Sequence, residues 1–157
     1  MRALVPLVLL SSLALPAAAQ GDPLLAVRDA DPMELARVAD RVGHAAVLAR
    51  LGDGQSREVR LAAIRAARFI DGPELALEPL ARIAAGRDPL LAPAAARAAL
   101  AIAGELDLDA LAQREVEPSS LSAARALFVA LSRDARARAD LRAAAEHVAA
   151  RLEQLGA

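Results

Sequence analysis

Apolar residues recur along this chain at intervals of three and four, and the runs are punctuated by single glycines and acid–proline pairs. That spacing lays side chains along one face of a helix turning about 100° per residue, so it predicts helices and not strands. Proline in a first helical turn lacks only a donor that would be unpaired anyway, and an Asp before it can accept from the free amides. Asp22-Pro23, Asp31-Pro32, Asp88-Pro89 and Glu117-Pro118 read as starts of this kind, Gly72-Pro73 works similarly, and Asp107 can cap a helix from Leu108. Gly43, Gly52, Gly72, Gly86 and Gly104 follow apolar runs, where a left-handed cap favours glycine. The helices expected are 32–42, 44–51, 56–70, 73–85, 89–103, 108–115, 119–133 and 136–155, after a short turn near 23–29. Pro79 and Pro93 fall inside two of these spans and should kink them or split off a first turn. Connections this short make successive helices antiparallel neighbours.

Two of the runs echo each other. LAAIRAARFI, from Leu61 to Ile70, matches AAARAALAI, from Ala94 to Ile102, when Arg65 is laid on Arg97, a period of roughly thirty residues. A weaker echo sets Arg125 on Arg97 and Phe128 on Leu100. Periods of this size mark stacked helical repeats, in which each pair buries its face only against its neighbours. Asp53, then Val59-Arg60, then Ala62-Ala63-Ile64, with Ala66 and Ala67 following, resembles the second-helix pattern of HEAT repeats of the short bacterial type. The second repeat keeps Asp88 but has Ala95 where that pattern has Arg, and the third departs further, so the resemblance covers about 50–105. It implies an all-α, short α-solenoid of antiparallel helix pairs, about three HEAT-like repeats, with a C-terminal capping helix. It also implies that Asp53 and Arg60 bridge repeats.

The run from Asp53 to Ile70 carries four arginines among its apolar residues. On a helical wheel Arg57, Arg60, Arg65 and Arg68 fall within an arc of roughly 140°, opposite Val59, Ala62, Ala63, Ala66 and Ile70. One face is therefore core. Leu61 and Ile64 point toward the arginine side. Either they tuck under neighbouring helices, or they stand among the arginines on an open surface. Arg with apolar groups makes typical interface centres, so Arg57, Leu61, Ile64, Arg65 and Arg68 are the candidate protein-binding residues. With so much of the chain Ala, most of the core should come from Leu51, Leu75, Leu80, Ile83, Leu100, Ile102, Leu127, Leu131 and Leu141.

Near the C-terminus Leu141, Ala145, Val148, Leu152 and Leu155 alternate spacings of four and three. That is a heptad seam about two heptads long, readable as the inner face of a capping helix or, through Leu141, Val148, Leu152 and Leu155, as a weak homodimer seam.

The first residues, MRALVPLVLLSSLALPAAAQ, have the three parts of a secretory signal peptide: Arg2, an apolar stretch from Ala3 to Leu15, and small residues at Ala17-Ala18-Ala19. Cleavage is expected after Ala19, which makes residues 1–19 a leader and 20–157 the repeat domain. The apolar stretch is too short and too broken by proline to remain as a membrane span. No twin arginine precedes it and no cysteine follows it, so a Sec-type route to the periplasm or the exterior is expected, with no lipid anchor.

Composition and charge narrow the function. About a quarter of the residues are Ala, every basic side chain is Arg, and Thr, Asn, Cys, Trp and Tyr are absent, which favours helix over sheet. A formal charge of −1 on the whole chain is not that of a nucleic-acid binder. Without cysteine there is no disulfide, thiolate nucleophile or Cys-based zinc site. His44 and His147 are far apart in sequence, with no metal-binding spacing. None of Ser56, Ser119, Ser120, Ser122 and Ser132 lies in a GxSxG turn, and Ser56 and Ser119 read as caps. Glu105, Asp107, Asp109, Glu115 and Glu117 lack the glycine-centred loop that calcium needs. No metal, cofactor or catalytic site is expected. The expectation is an exported, non-catalytic module whose partner is another protein. The alternatives are a structural protein that self-associates through its last helix and, less well supported, an enzyme.

Overall fold

A computed structural model describes residues 21–26 and 31–157. The expected leader, Gln20 and part of the turn expected near 23–29 lie outside the described residues. The described residues are helical, with no strand among them. The α-helices are α1 (Pro23–Ala26), α2 (Pro32–Val42), α3 (His44–Ala49), α4 (Arg57–Ala66), α5 (Leu77–Ala84), α6 (Leu91–Glu105), α7 (Leu108–Gln113), α8 (Ser122–Arg133) and α9 (Ala139–Gln154). None of them is long and apolar enough to cross a membrane.

The start signals act as their chemistry demands. The Asp31 carboxylate accepts from the Glu34 amide at 2.9 Å with Pro32 in the first turn. Ser56 accepts from Val59 at 3.3 Å, and Asp107 from Ala110 at 2.6 Å. Asp88 accepts from both Leu90 and Leu91, so Pro89 and Leu90 form a lead-in and α6 begins two residues later than expected. Pro79 likewise sits in a first turn, because Pro73–Ala76 winds as a separate 3-10 turn ahead of α5. Pro118–Leu121 does the same ahead of α8, and Ser119 lies within that turn instead of capping a helix.

Neighbour relations sort the longer helices into two layers. In one, α6 lies between α4 and α9; in the other, α5 lies beside α8, with α5 packed on α6 and α8 on α9. Ion pairs fix the direction of the first layer. Arg57, at the start of α4, pairs with Asp88 ahead of α6 at 2.6 Å, and Arg68, just past the end of α4, pairs with Glu105 at the end of α6 at 2.5 Å. The two helices therefore run parallel. At the far side of α6, Arg151 of α9 donates to the Leu106 carbonyl at 2.6 Å, which sets the C-terminal ends of α6 and α9 together.

The core runs between the layers. Phe128, Leu77, Leu80, Ile102, Leu106, Leu111, Val148 and Leu152 are almost fully buried, with alanines of α4, α5 and α6 between them. Two residues expected in the core are outside it: Leu75 is 55% exposed and Leu100 40% exposed. Leu75 lies on the 3-10 turn, where each residue advances about 120° instead of 100°, so the continuous wheel drawn for 73–85 loses its phase there. Leu100 falls well to one side of the arc that α6 buries through Ala92, Ala95, Ala96, Ala99 and Ala103. Leu127 is half-buried.

The C-terminal seam is corrected as a dimer surface. Leu141, Val148, Leu152 and Leu155 are all buried within this chain, where α9 covers α6 and α8, and Arg125 of α8 pairs with Glu153 at 3.0 Å. The heptad spacing marks the inner face of a closing helix and leaves no seam for a second copy.

Candidate protein-interaction site

Of the residues singled out on α4, Ile64 is corrected first: at 1% exposure it is core and cannot stand on an open surface. The helix α6 lies alongside α4, and α1 and α2 also pack on it, so α4 is covered on more than one flank. Leu61 is half-buried and packs against the same core. Arg57 and Arg68 are about half-exposed, but their charges are engaged by Asp88 and Glu105, so both fasten α4 to α6. The Arg68 guanidinium also stands over the Phe69 ring, 5.1 Å from its centroid. Arg60 and Asp53 pair with each other at 3.0 Å across the turn that leads into α4. Asp53 is exposed there, while Arg60 is mostly buried and its Nε has no hydrogen-bond partner among the described residues.

Between the two fastenings, α4 and α6 leave a groove of about 460 Å³. Leu61 and Ile64 form its α4 wall and floor, Ala94, Ala98 and Ala101 its α6 wall, and Phe69 and Leu90 stand near its ends, with Pro32 and Leu35 of α2 at the border. Arg65, Arg68 and Arg97 rim it. Four of the five candidate residues are thus brought to one concavity; Arg57 lies beyond it, at the Asp88 end. Leu90, at 54% exposure, and Arg97 complete the site, and neither was singled out from the sequence as a contact residue. The signal for Arg97 was present, since the repeat lays it on Arg65 and equivalent positions on parallel neighbouring helices face the same way.

The Asp88 carboxylate at the edge of this region is held below the usual range for an aspartate. The Leu91 amide contributes most, and the Leu90 amide and the Arg57 guanidinium add to it against partial desolvation. Asp140 is also held low, chiefly by its hydrogen bond from Arg138.

A second, larger cavity of about 590 Å³ opens between the α5–α6 and α8–α9 connections, lined by Arg87, Arg136 and Arg138 with Asp88 and Asp134. Its charges are mixed, and Arg138 is engaged by Asp140 at 2.9 Å. Elsewhere Ser56 is consumed as a cap, and Ser132 donates to the Val129 carbonyl at 2.9 Å. His44 and His147 are both exposed, and the His147 Nδ1 lies 2.7 Å from the Ala143 carbonyl oxygen. Among the described residues no group of three His, Asp or Glu side chains is placed to hold a metal ion.

Comparison with protein-family models, with curated proteins and with solved structures finds no match to this chain.

Proposed function

We propose that this chain is an exported, non-catalytic protein-binding module, built as a short HEAT-like solenoid of about three helix pairs closed by α9. Taking α2 with α4, α5 with α6 and α8 with α9 as the pairs fits the neighbour relations and the parallel run of α4, α6 and α9. Export rests on the leader pattern in residues 1–19. The α-helical pairs supply a rigid scaffold, and binding falls to the groove they leave.

The observation that carries this reading is the groove between α4 and α6, apolar along its walls and rimmed by Arg65, Arg68 and Arg97. An exposed apolar concavity bordered by arginine is the composition of a protein-interface centre. The test is affinity co-purification of the exported protein from an envelope and secreted fraction, beside the double variant Leu90→Asp, Arg97→Glu. Both side chains are exposed, so the variant should keep the wild-type helical signal and thermal midpoint. An identified protein held by the wild type and lost by the variant is the expected result. A partner held equally by both would remove the groove from the reading.

A further inference from the structure

We infer that the groove between α4 and α6 receives a short, acidic, amphipathic helix of a partner protein. This deepens the reading above and rests on it. Three features of the groove select such an occupant. The first is charge. Its described lining holds three guanidinium groups and no carboxylate; Arg68 is already paired with Glu105, so the attraction for a segment bearing Asp or Glu rests on Arg97. Arg97 makes no ion pair among the described residues, which leaves its donors available to a carboxylate from outside.

The second is shape. The α6 wall is made of alanines at 94, 98 and 101, the spacing of one ridge on a helix, and it faces the larger Leu61 and Phe69 across the opening. Small side chains on one wall and large ones on the other leave a channel into which a row of Leu-sized side chains can drop, with helix axes about 8–10 Å apart. The third is length. From Leu90, just ahead of α6, to Ala101 this α6 wall spans about 17 Å at about 1.5 Å per residue, which fits about three turns of helix. Apolar anchors at i, i+3 or i+4, and i+7 on such a helix would meet the walls, and a carboxylate flanking them would meet Arg97. An extended strand gains nothing here, since α4 and α6 have no free backbone edge to pair with.

The test uses the full chain expressed with its own N-terminal residues and purified after export. The probes are fluorescently labelled peptides of about twelve residues with Leu at the two anchor spacings and Glu on both flanks. Matched peptides carry Lys in place of Glu, and vesicles of anionic phospholipid serve as competitor. Saturable binding of a Glu peptide is expected, weakening severalfold as salt rises from about 50 to about 300 mM. Two variants act on different parts of the site. Arg97→Glu reverses one rim charge, and Ala98→Trp fills the channel without touching a charge. Each should weaken binding by about tenfold or more, a change of about 1.4 kcal/mol, while helicity and thermal midpoint stay at the wild-type value.

Equal binding of Glu and Lys peptides, undiminished binding by Ala98→Trp, or displacement of the peptide by vesicles alone would overturn the inference. If no Glu peptide binds but the co-purified partner is still lost by the Leu90→Asp, Arg97→Glu variant, the groove remains the interaction site and the acidic helix is the wrong occupant. If neither peptide nor partner depends on the groove, both readings fall.

Discussion

Asp88 serves three neighbours at once: it accepts from the Leu90 and Leu91 amides at the head of α6 and from Arg57 on α4. Those donors favour its charged form and hold its carboxyl below the ordinary aspartate value of 3.8. A carboxyl whose folded value is depressed adds stability that is complete above the unfolded value and disappears as pH falls through the folded one. The difference in urea midpoint between wild type and Asp88→Asn should therefore be largest near neutral pH and shrink below about pH 4. A difference that persisted unchanged at low pH would mean that shape, and not charge, sets the role of Asp88. Glu74 poses the opposite case. Its side chain is 2% exposed, and among the described residues Oε2 lacks a hydrogen bond and its one ion-pair partner is Arg114 at 3.4 Å. Arg114→Ala strands a buried carboxylate, whereas Glu74→Leu leaves behind an arginine that can turn to water. Urea denaturation should show Arg114→Ala the more destabilising of the two, by about 2 kcal/mol or more against the wild type.

At the scale of elements, α9 shows how one spacing allows two surfaces, the inner face of a capping helix and a dimer seam, between which only packing chooses. Its apolar stripe is real, and the chain's own α6 and α8 consume it. Were the stripe a dimer seam, a charge in it would yield a folded monomer. Here Leu152 is fully buried, so Leu152→Asp should abolish cooperative unfolding in a thermal melt instead of halving the mass by light scattering. The milder Leu152→Ala should fold but lose about 2–5 kcal/mol in urea. The 3-10 turn at Pro73–Ala76 is the other instructive element. Gly72 precedes it at φ 77°, a conformation that favours glycine, and the chain turns there before it can wind as a regular α-helix. Leu75 faces outward as a consequence.

The whole molecule is held by neighbours in series, α4 on α6 and α6 on α9, with α5 and α8 stacked across them. Each of these helices packs against at least two others, so removal of a terminal one uncovers part of the next. A chain ending at Arg138, without α9, bares the faces of α6 and α8 against which α9 packs. It should lose the cooperative melt as a unit, seen by circular dichroism, and leave no stable fragment spanning α4 to α8. A fragment that kept a sharp transition would show the layers to be energetically independent.

The helices themselves were legible because caps, prolines and apolar spacing act within a few residues, and local chemistry decides them. Asp31, Ser56 and Asp107 cap where the sequence placed them, and the spans of α2, α8 and most of α9 follow the expected ranges. The repeat that sets Arg97 on Arg65 was legible too, though what it does to the surface was not. Which side of a helix meets another helix depends on contacts between residues far apart in sequence. Only the tertiary packing could bury Ile64, turn Leu75 and Leu100 outward, and consume the α9 seam. Only packing could assign Arg57 and Arg68 to Asp88 and Glu105, because each of those pairs joins residues more than thirty positions apart. The groove belongs to that same level: its walls come from two helices held parallel by the pairs at their ends.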